Sequence, residues 1–178
     1  MPLLKNDHYT SEDYWNLPEG TRAELIDGKL YDMAPPSRIH QQLVMELAGT
    51  IREYIKKNHG NCQVYPAPFA VNLDADDKDW VEPDISVICD PNKLTDRGCS
   101  GAPDLIIEIV SPSSRKMDYS LKNTIYSQAD VRAYWIVDPV KKLVMVYDFE
   151  NEDTEQYTFQ DSIKVGIYEE LRIDFAEM

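Results

Sequence analysis

A chain of 178 residues that is 43% hydrophobic is long enough for one sizeable core and too short for two, so a single domain over residues 1–178 is expected. Its net charge of −14, from 18 basic and 32 acidic residues, favours solubility and repels polyanions at long range, so a nucleic-acid partner would have to be bound against that field. Cys62, Cys89 and Cys99 are odd in number and show no C-x-x-C spacing, which argues against both a zinc site and a disulfide framework and leaves reduced thiols as the expectation.

The opening MPLLKNDHYT holds an apolar run too short for a signal peptide, and no later stretch is long enough to cross a bilayer, so a cytoplasmic location is expected. Thr10 followed by Asp13 forms a capping box for a short helix that Pro18 and Gly20 end. RAELI and KLYDM flank Asp27-Gly28, the strongest local signal for a tight hairpin, and Glu24 lies on its first strand. From the N-cap Ser37, Ile39, Leu43, Leu47, Ile51 and Ile55 recur every four residues, an amphipathic helix that ends near Asn58-His59-Gly60 and needs a sheet to cover.

That sheet is expected from CQVYPAPFAVNL, WVEPDISVI and DLIIEIV, three apolar or β-branched runs. The acids at 74–79 and 150–155 read as solvated loops. A second helix follows from about Asp118 to Asp130, with Leu121, Ile125 and Ala129 on one face. AYWIVD and KLVMVYDF form an antiparallel pair around a turn that holds Lys141 and Lys142. EQYTF and IYEELRIDF add one or two strands, whose edge offers a surface for pairing across a two-fold axis in a homodimer. The expected fold is α/β, a mixed sheet flanked by helices with an N-terminal hairpin and extra C-terminal strands.

Glu108 is out of place in this pattern. With period two, Asp104, Ile106, Glu108 and Val110 point to one face of their strand, and Leu105, Ile107 and Ile109 to the other. Apolar residues on both faces mark a central, buried strand, where an ionised carboxylate is costly unless it is paired or holds a cation. Asp84 opens DISVI much as Glu108 nears the end of its own strand, so antiparallel neighbours would bring the two acids together at one sheet edge. Two close carboxylates raise each other's pKa unless a cation lies between them, and hard oxygen ligands suit Mg²⁺ or Mn²⁺ better than zinc. Lys122, one turn after Asp118 and one before Tyr126, is placed to lean toward them. Taken alone, the trio is more simply an internal salt bridge.

PD at 83–84 and EIVS at 108–111 resemble the PD-(D/E)xK nuclease superfamily. AELIDG, a His heading a long helix, EPDISVI, PDLIIEIVSPSS, D-x-x-x-K-x-x-x-Y and YWIVDP, in that order from about Tyr9 to Phe175, resemble the Uma family of restriction endonuclease-like proteins. The resemblance implies a Mg²⁺- or Mn²⁺-dependent nuclease acting on DNA, with Asp84, Glu108 and the backbone carbonyl of Ile109 as metal ligands. It implies that Lys122 replaces the lysine usually found two residues after the second acid, where this chain has Val110. Glu24 and His40 also match family positions, Glu24 as a further outer or direct metal ligand and His40 as a residue that contacts substrate or assists proton transfer. Their plainer readings are an exposed strand residue and a surface or capping histidine.

Three rival readings use other features. An inactive protein of the same fold would keep the acids and lysine as a salt bridge and serve as an acidic interaction module. Ser113 to Lys116 fits S-x-x-K of serine hydrolases but lacks the companion motifs, and His8, His40 and His59 have no zinc-ligand spacing. The tight basic pairs Lys56-Lys57, Arg115-Lys116 and Lys141-Lys142 read as solvated surface, so affinity for long duplex DNA is expected to be low. Trp80, beside the acidic loop, is placed to stack on substrate, with no other feature of the sequence to support that role.

Overall fold

The computed structural model describes residues 8–178, so the N-terminal apolar run lies outside the described residues. Helix α1 (Ser11–Trp15) opens with the expected capping box, Thr10 accepting from the Asp13 amide and Asp13 from that of Thr10. Strands β1 (Ala23–Ile26) and β2 (Lys29–Asp32) pair antiparallel about Asp27 and Gly28, both at positive φ, the conformation that a two-residue hairpin turn demands. Helix α2 (Arg38–Lys57) starts at Ser37, whose side chain accepts from the His40 amide, and its apolar stripe buries Leu43, Val44, Leu47, Ala48, Ile51 and Ile55.

Two of the expected strands divide. CQVYPAPFAVNL yields β3 (Gln63–Pro66) and β4 (Val71–Asn72), and WVEPDISVI yields β5 (Trp80–Val81) and β6 (Ile85–Ile88). Proline donates nothing to a ladder, and the breaks fall at Pro66, Pro68 and Pro83. Two short strands, β7 (Leu94–Thr95) and β8 (Gly98–Ser100), precede β9 (Leu105–Ile109). The chain next winds through a π-helical turn, Met117–Lys122, into α3 (Asn123–Gln128), then forms β10 (Ala133–Asp138), β11 (Leu143–Asp148) and β12 (Asp153–Thr158). β13 (Ser162–Lys164) and β14 (Arg172–Asp174) make a separate antiparallel pair.

The main sheet has the order β12-β11-β10-β9-β6-β3, with β9 and β10 parallel and every other pair antiparallel. It is the mixed sheet expected, and the connection from β9 to β10 carries the π turn and α3. A second sheet, β2-β1-β5-β4-β8-β7, was not foreseen. Strand β9 is buried on both faces. Leu105, Ile107 and Ile109 pack with α2, Trp135 and the β13–β14 pair, while Ile106 and Val110 join Tyr126, Tyr134 and the small sheet. The outer edge strand β12 exposes Asp153, Thr154, Glu155 and Gln156, and such charges disfavour edge-to-edge pairing. Among the described residues no helix is long and apolar enough to cross a bilayer.

Two expectations are corrected here. Cys62 and Cys89 are disulfide-bonded and not separate thiols; Cys99 alone remains a buried thiol. The cause is register, since Gln63 faces Ile88 and the next pair outward is Cys62 and Cys89. With a sequence separation of 27 between the two, the bond is expected to contribute about 2–4 kcal/mol. Urea unfolding with and without reductant checks this; a midpoint indifferent to reductant would contradict it. Trp80 is core and not an exposed stacking platform: its ring stacks on Tyr14 and its indole N–H donates to Ser11 Oγ at 2.9 Å.

Candidate active site

The register of β6 on β9 sets Ile85 opposite Ile107, so the next residues outward, Asp84 and Glu108, are neighbours. Asp84 Oδ2 accepts from the Ile109 amide at 2.7 Å and lies 3.0 Å from His40 Nε2. The carboxylate is thus gripped from the adjacent strand and from the first turn of α2, leaving Oδ1 for a ligand role. With Asp84 ionised, the contact requires the proton of His40 on Nε2, and the buried Nδ1 has no hydrogen-bond partner among the described residues.

Glu108 is only 4% exposed, and its Oε1 accepts from Lys122 Nζ and from the Tyr126 hydroxyl, both at 2.8 Å. Its Oε2 faces the Asp84 amide at 3.4 Å. Lys122 Nζ also lies 3.0 Å from Glu24 Oε1 and 3.8 Å from Asp118 Oδ1. The π turn and α3 run from β9 to β10 and present Asp118, Lys122 and Tyr126, one turn apart, to the sheet. Val110 is buried among apolar residues, and the ammonium beside Glu108 is that of Lys122.

Glu24 is not an exposed strand residue. It is 3% exposed, and its Oε1 also accepts from the Glu82 amide. Its strand β1 lies between β2 and β5 in the small sheet. Asp118 served in the sequence only as a landmark one turn before Lys122, and that spacing was its signal. It is 2% exposed; Oδ2 accepts from Ser114 Oγ at 2.6 Å, and Oδ1 has no hydrogen-bond partner.

Burial pushes the Glu108 carboxyl well up; Lys122 pulls it back, while Asp84, Asp118 and Glu24 add to the rise. Burial likewise raises Asp118, to about 6, against the pull of Lys122 and Ser114. Burial opposes the charged form of Lys122, but attraction from Glu108, Glu24 and Asp118 outweighs it and the ammonium is held protonated. Because the folded chain holds the Asp118 proton more tightly than the unfolded chain, this group's stabilising effect is full below the ordinary carboxyl range and is lost as pH rises through about 6. Asp118→Asn should therefore gain stability over the parent, by on the order of 1 kcal/mol, between pH 5 and pH 7.5 in EDTA. Urea melts at the two pH values measure it, and a pH-independent difference would contradict it.

Glu24, His40, Asp84, Glu108, Asp118 and Lys122 open on one cavity of about 480 Å³, whose lining also includes Ile109. Glu24, Glu108 and Asp118 surround one ammonium with Asp84 beside Glu108, and these carboxylates are hard oxygen donors of the kind that Mg²⁺ or Mn²⁺ takes. Among the described residues no three His, Cys, Asp or Glu side chains are arranged to chelate an ion by themselves. A cation would rely on Asp84, Glu108, a backbone oxygen such as that of Ile109, and water. Ser113 belongs to a loop of serines, its Oγ 3.0 Å from that of Ser111. His40 is committed to Asp84, while His8 and His59 are exposed.

A mixed sheet that presents two acids from antiparallel neighbours, with a lysine from the β9–β10 crossover, defines a restriction-endonuclease-like α/β protein. The chain belongs to the Uma2 family, described as "Putative restriction endonuclease", whose model matches residues 11–174. A crystal structure described as "a putative nuclease belonging to DUF820" from Anabaena variabilis has the same fold, with a TM-score of 0.77 at 21% identity over 94% of this chain and 96% of that one. A curated Synechocystis sp. relative, "Uncharacterized protein slr1290", is 24% identical over 127 residues, 71% of this chain. The matched region spans 64% of that relative's length.

Proposed function

We propose that this protein is a metal-dependent nuclease that hydrolyses DNA phosphodiester bonds with Mg²⁺ or Mn²⁺. The observation that carries the reading is the meeting of Asp84, Glu108 and Lys122, from three separate elements, in one cavity. The ion, when bound, acidifies the attacking water and shields the charge that builds on the phosphoryl oxygens. Asp84 and Glu108 would hold it, with the Ile109 carbonyl as a further ligand. The Ile109 amide and His40 fix Asp84 so that it need not reorganise. Lys122, placed by Glu24 and Glu108, would orient the nucleophile or neutralise the scissile phosphate. His40, which shares the cavity, is positioned to contact substrate or assist proton transfer.

Hydrolysis of bis(p-nitrophenyl) phosphate and nicking of supercoiled plasmid test the reading. Both should require Mn²⁺ or Mg²⁺, stop with EDTA, and fall more than about 100-fold in Glu108→Gln. The absence of metal-dependent hydrolysis would favour a second reading, an inactive acidic interaction protein of the same fold. Its support is the pairing of Lys122 with Glu108 and Glu24, which a purely structural salt bridge would also show.

A further inference from the structure

The cavity does not suit a duplex. Five carboxylates line it, those of Glu24, Asp32, Asp84, Glu108 and Asp118, against two permanent cations, Arg22 and Lys122. Both cations are spent: Arg22 on Glu82 at 2.8 Å, and Lys122 on Glu108 and Glu24. None of the tight basic pairs at 56–57, 115–116 and 141–142 lines the cavity. Duplex DNA carries about one charge per 1.7 Å of axis, roughly twice the density of one strand, and is held by basic surface that this rim lacks.

The rim is apolar instead. Ile39 and Val140, 40% and 73% exposed, are two of the three large hydrophobic side chains left exposed among the described residues, and both stand on this cavity. One heads α2 and the other tips the β10–β11 turn, so they belong to separate elements around one opening. Exposed apolar groups gathered at a polar site mark a binding surface. At about 480 Å³ the cavity is the size of a small-ligand site, and the acids at its base are nearly inaccessible. A phosphate must come inward to reach them, which the flexible backbone of an unpaired strand does more readily than that of a stiff duplex.

We propose that the substrate of this site is an unpaired strand, either single-stranded DNA or a frayed or flipped-out nucleotide, whose bases pack on Ile39 and Val140 while one phosphate enters the carboxylate-lined cavity. This rests on the nuclease reading above and narrows its substrate. Packing of bases on apolar side chains tolerates sequence and adds attraction that does not come from the phosphates, which offsets part of the repulsion from the field of the protein.

The test compares one oligonucleotide sequence as a single strand and as a blunt duplex, with Mn²⁺, alongside bis(p-nitrophenyl) phosphate. The single strand should be cut at least about tenfold faster in kcat/KM. The double variant Ile39→Ser/Val140→Ser should raise KM for the single strand about tenfold, more than it lowers kcat. A duplex cut as fast as the single strand, or a KM unmoved in the double variant, would overturn this inference while hydrolysis of the small diester left the nuclease reading standing. Failure on all three substrates would overturn both.

Discussion

Replacing either strand carboxylate, as Asp84→Asn or Glu108→Gln, is expected to abolish the stabilisation of this protein by Mn²⁺ or Mg²⁺. An ion at 100 times its Kd stabilises the fold by about 2.7 kcal/mol, and that increment should vanish in each variant. The metal-free proteins should differ little. The amide introduced by Glu108→Gln retains an oxygen that accepts from Lys122 and Tyr126, and the one introduced by Asp84→Asn retains an oxygen that accepts from the Ile109 amide. Loss of the metal increment without loss of metal-free stability separates an ion site from a structural salt bridge. Thermal melts with and without Mn²⁺ measure both, and an increment retained in both variants would refute the assignment.

Lys122→Met should have the largest effect on the fold itself. It removes the ammonium that lies against Glu108, Glu24 and Asp118 and leaves buried carboxylates uncompensated, a loss of about 3–5 kcal/mol in metal-free protein near pH 8. The effect should depend on pH. Burial already pushes Glu108 well up, and Lys122 is the main influence that holds it down, so without the lysine the folded chain binds protons still more tightly. A group raised in the folded state stabilises below its unfolded pKa and loses that contribution as pH rises through the folded value. The variant should therefore come closer to the parent at pH 5 than at pH 8, and adding Glu24→Gln and Glu108→Gln should restore much of the lost stability at pH 8. Urea unfolding at the two pH values measures this. A deficit under about 1 kcal/mol at pH 8, or one that grows on acidification, would contradict it.

The centre of the site was legible because it follows from alternation and strand direction alone. An acid on a two-sided apolar strand needs a partner, and the antiparallel pairing of β6 with β9 brings Asp84 to Glu108. Lys122 follows from helical spacing after Asp118. The long helix and the Asp27-Gly28 hairpin are equally local, each with its own cap or turn residues. What the sequence hid is non-local. Two-residue strands such as β4 and β5 are too short for any period to register, so the small sheet, and with it the burial of Glu24, was not visible. The Cys62–Cys89 bond depends on how β3 lies on β6, which cysteine spacing cannot encode. Asp118 is marked in the sequence only by its one-turn spacing to Lys122, and that spacing does not encode its burial or its bond from Ser114.

The negative field of the chain and the acids of the cavity are complementary parts of one account. A protein with net charge −14 gains little from a duplex backbone at long range but can gather divalent cations where its carboxylates converge. Arg22, which lines the cavity, is held by Glu82, and Arg115, next to the lining residue Ser114, is held by Asp138.

Crystals soaked in Mn²⁺ and measured at the manganese absorption edge test the central claim most directly. The account predicts one anomalous peak at coordination distance from Asp84 and Glu108, beside the Ile109 backbone and within reach of Lys122. A peak elsewhere with this pair bare, or none at millimolar Mn²⁺, would contradict it.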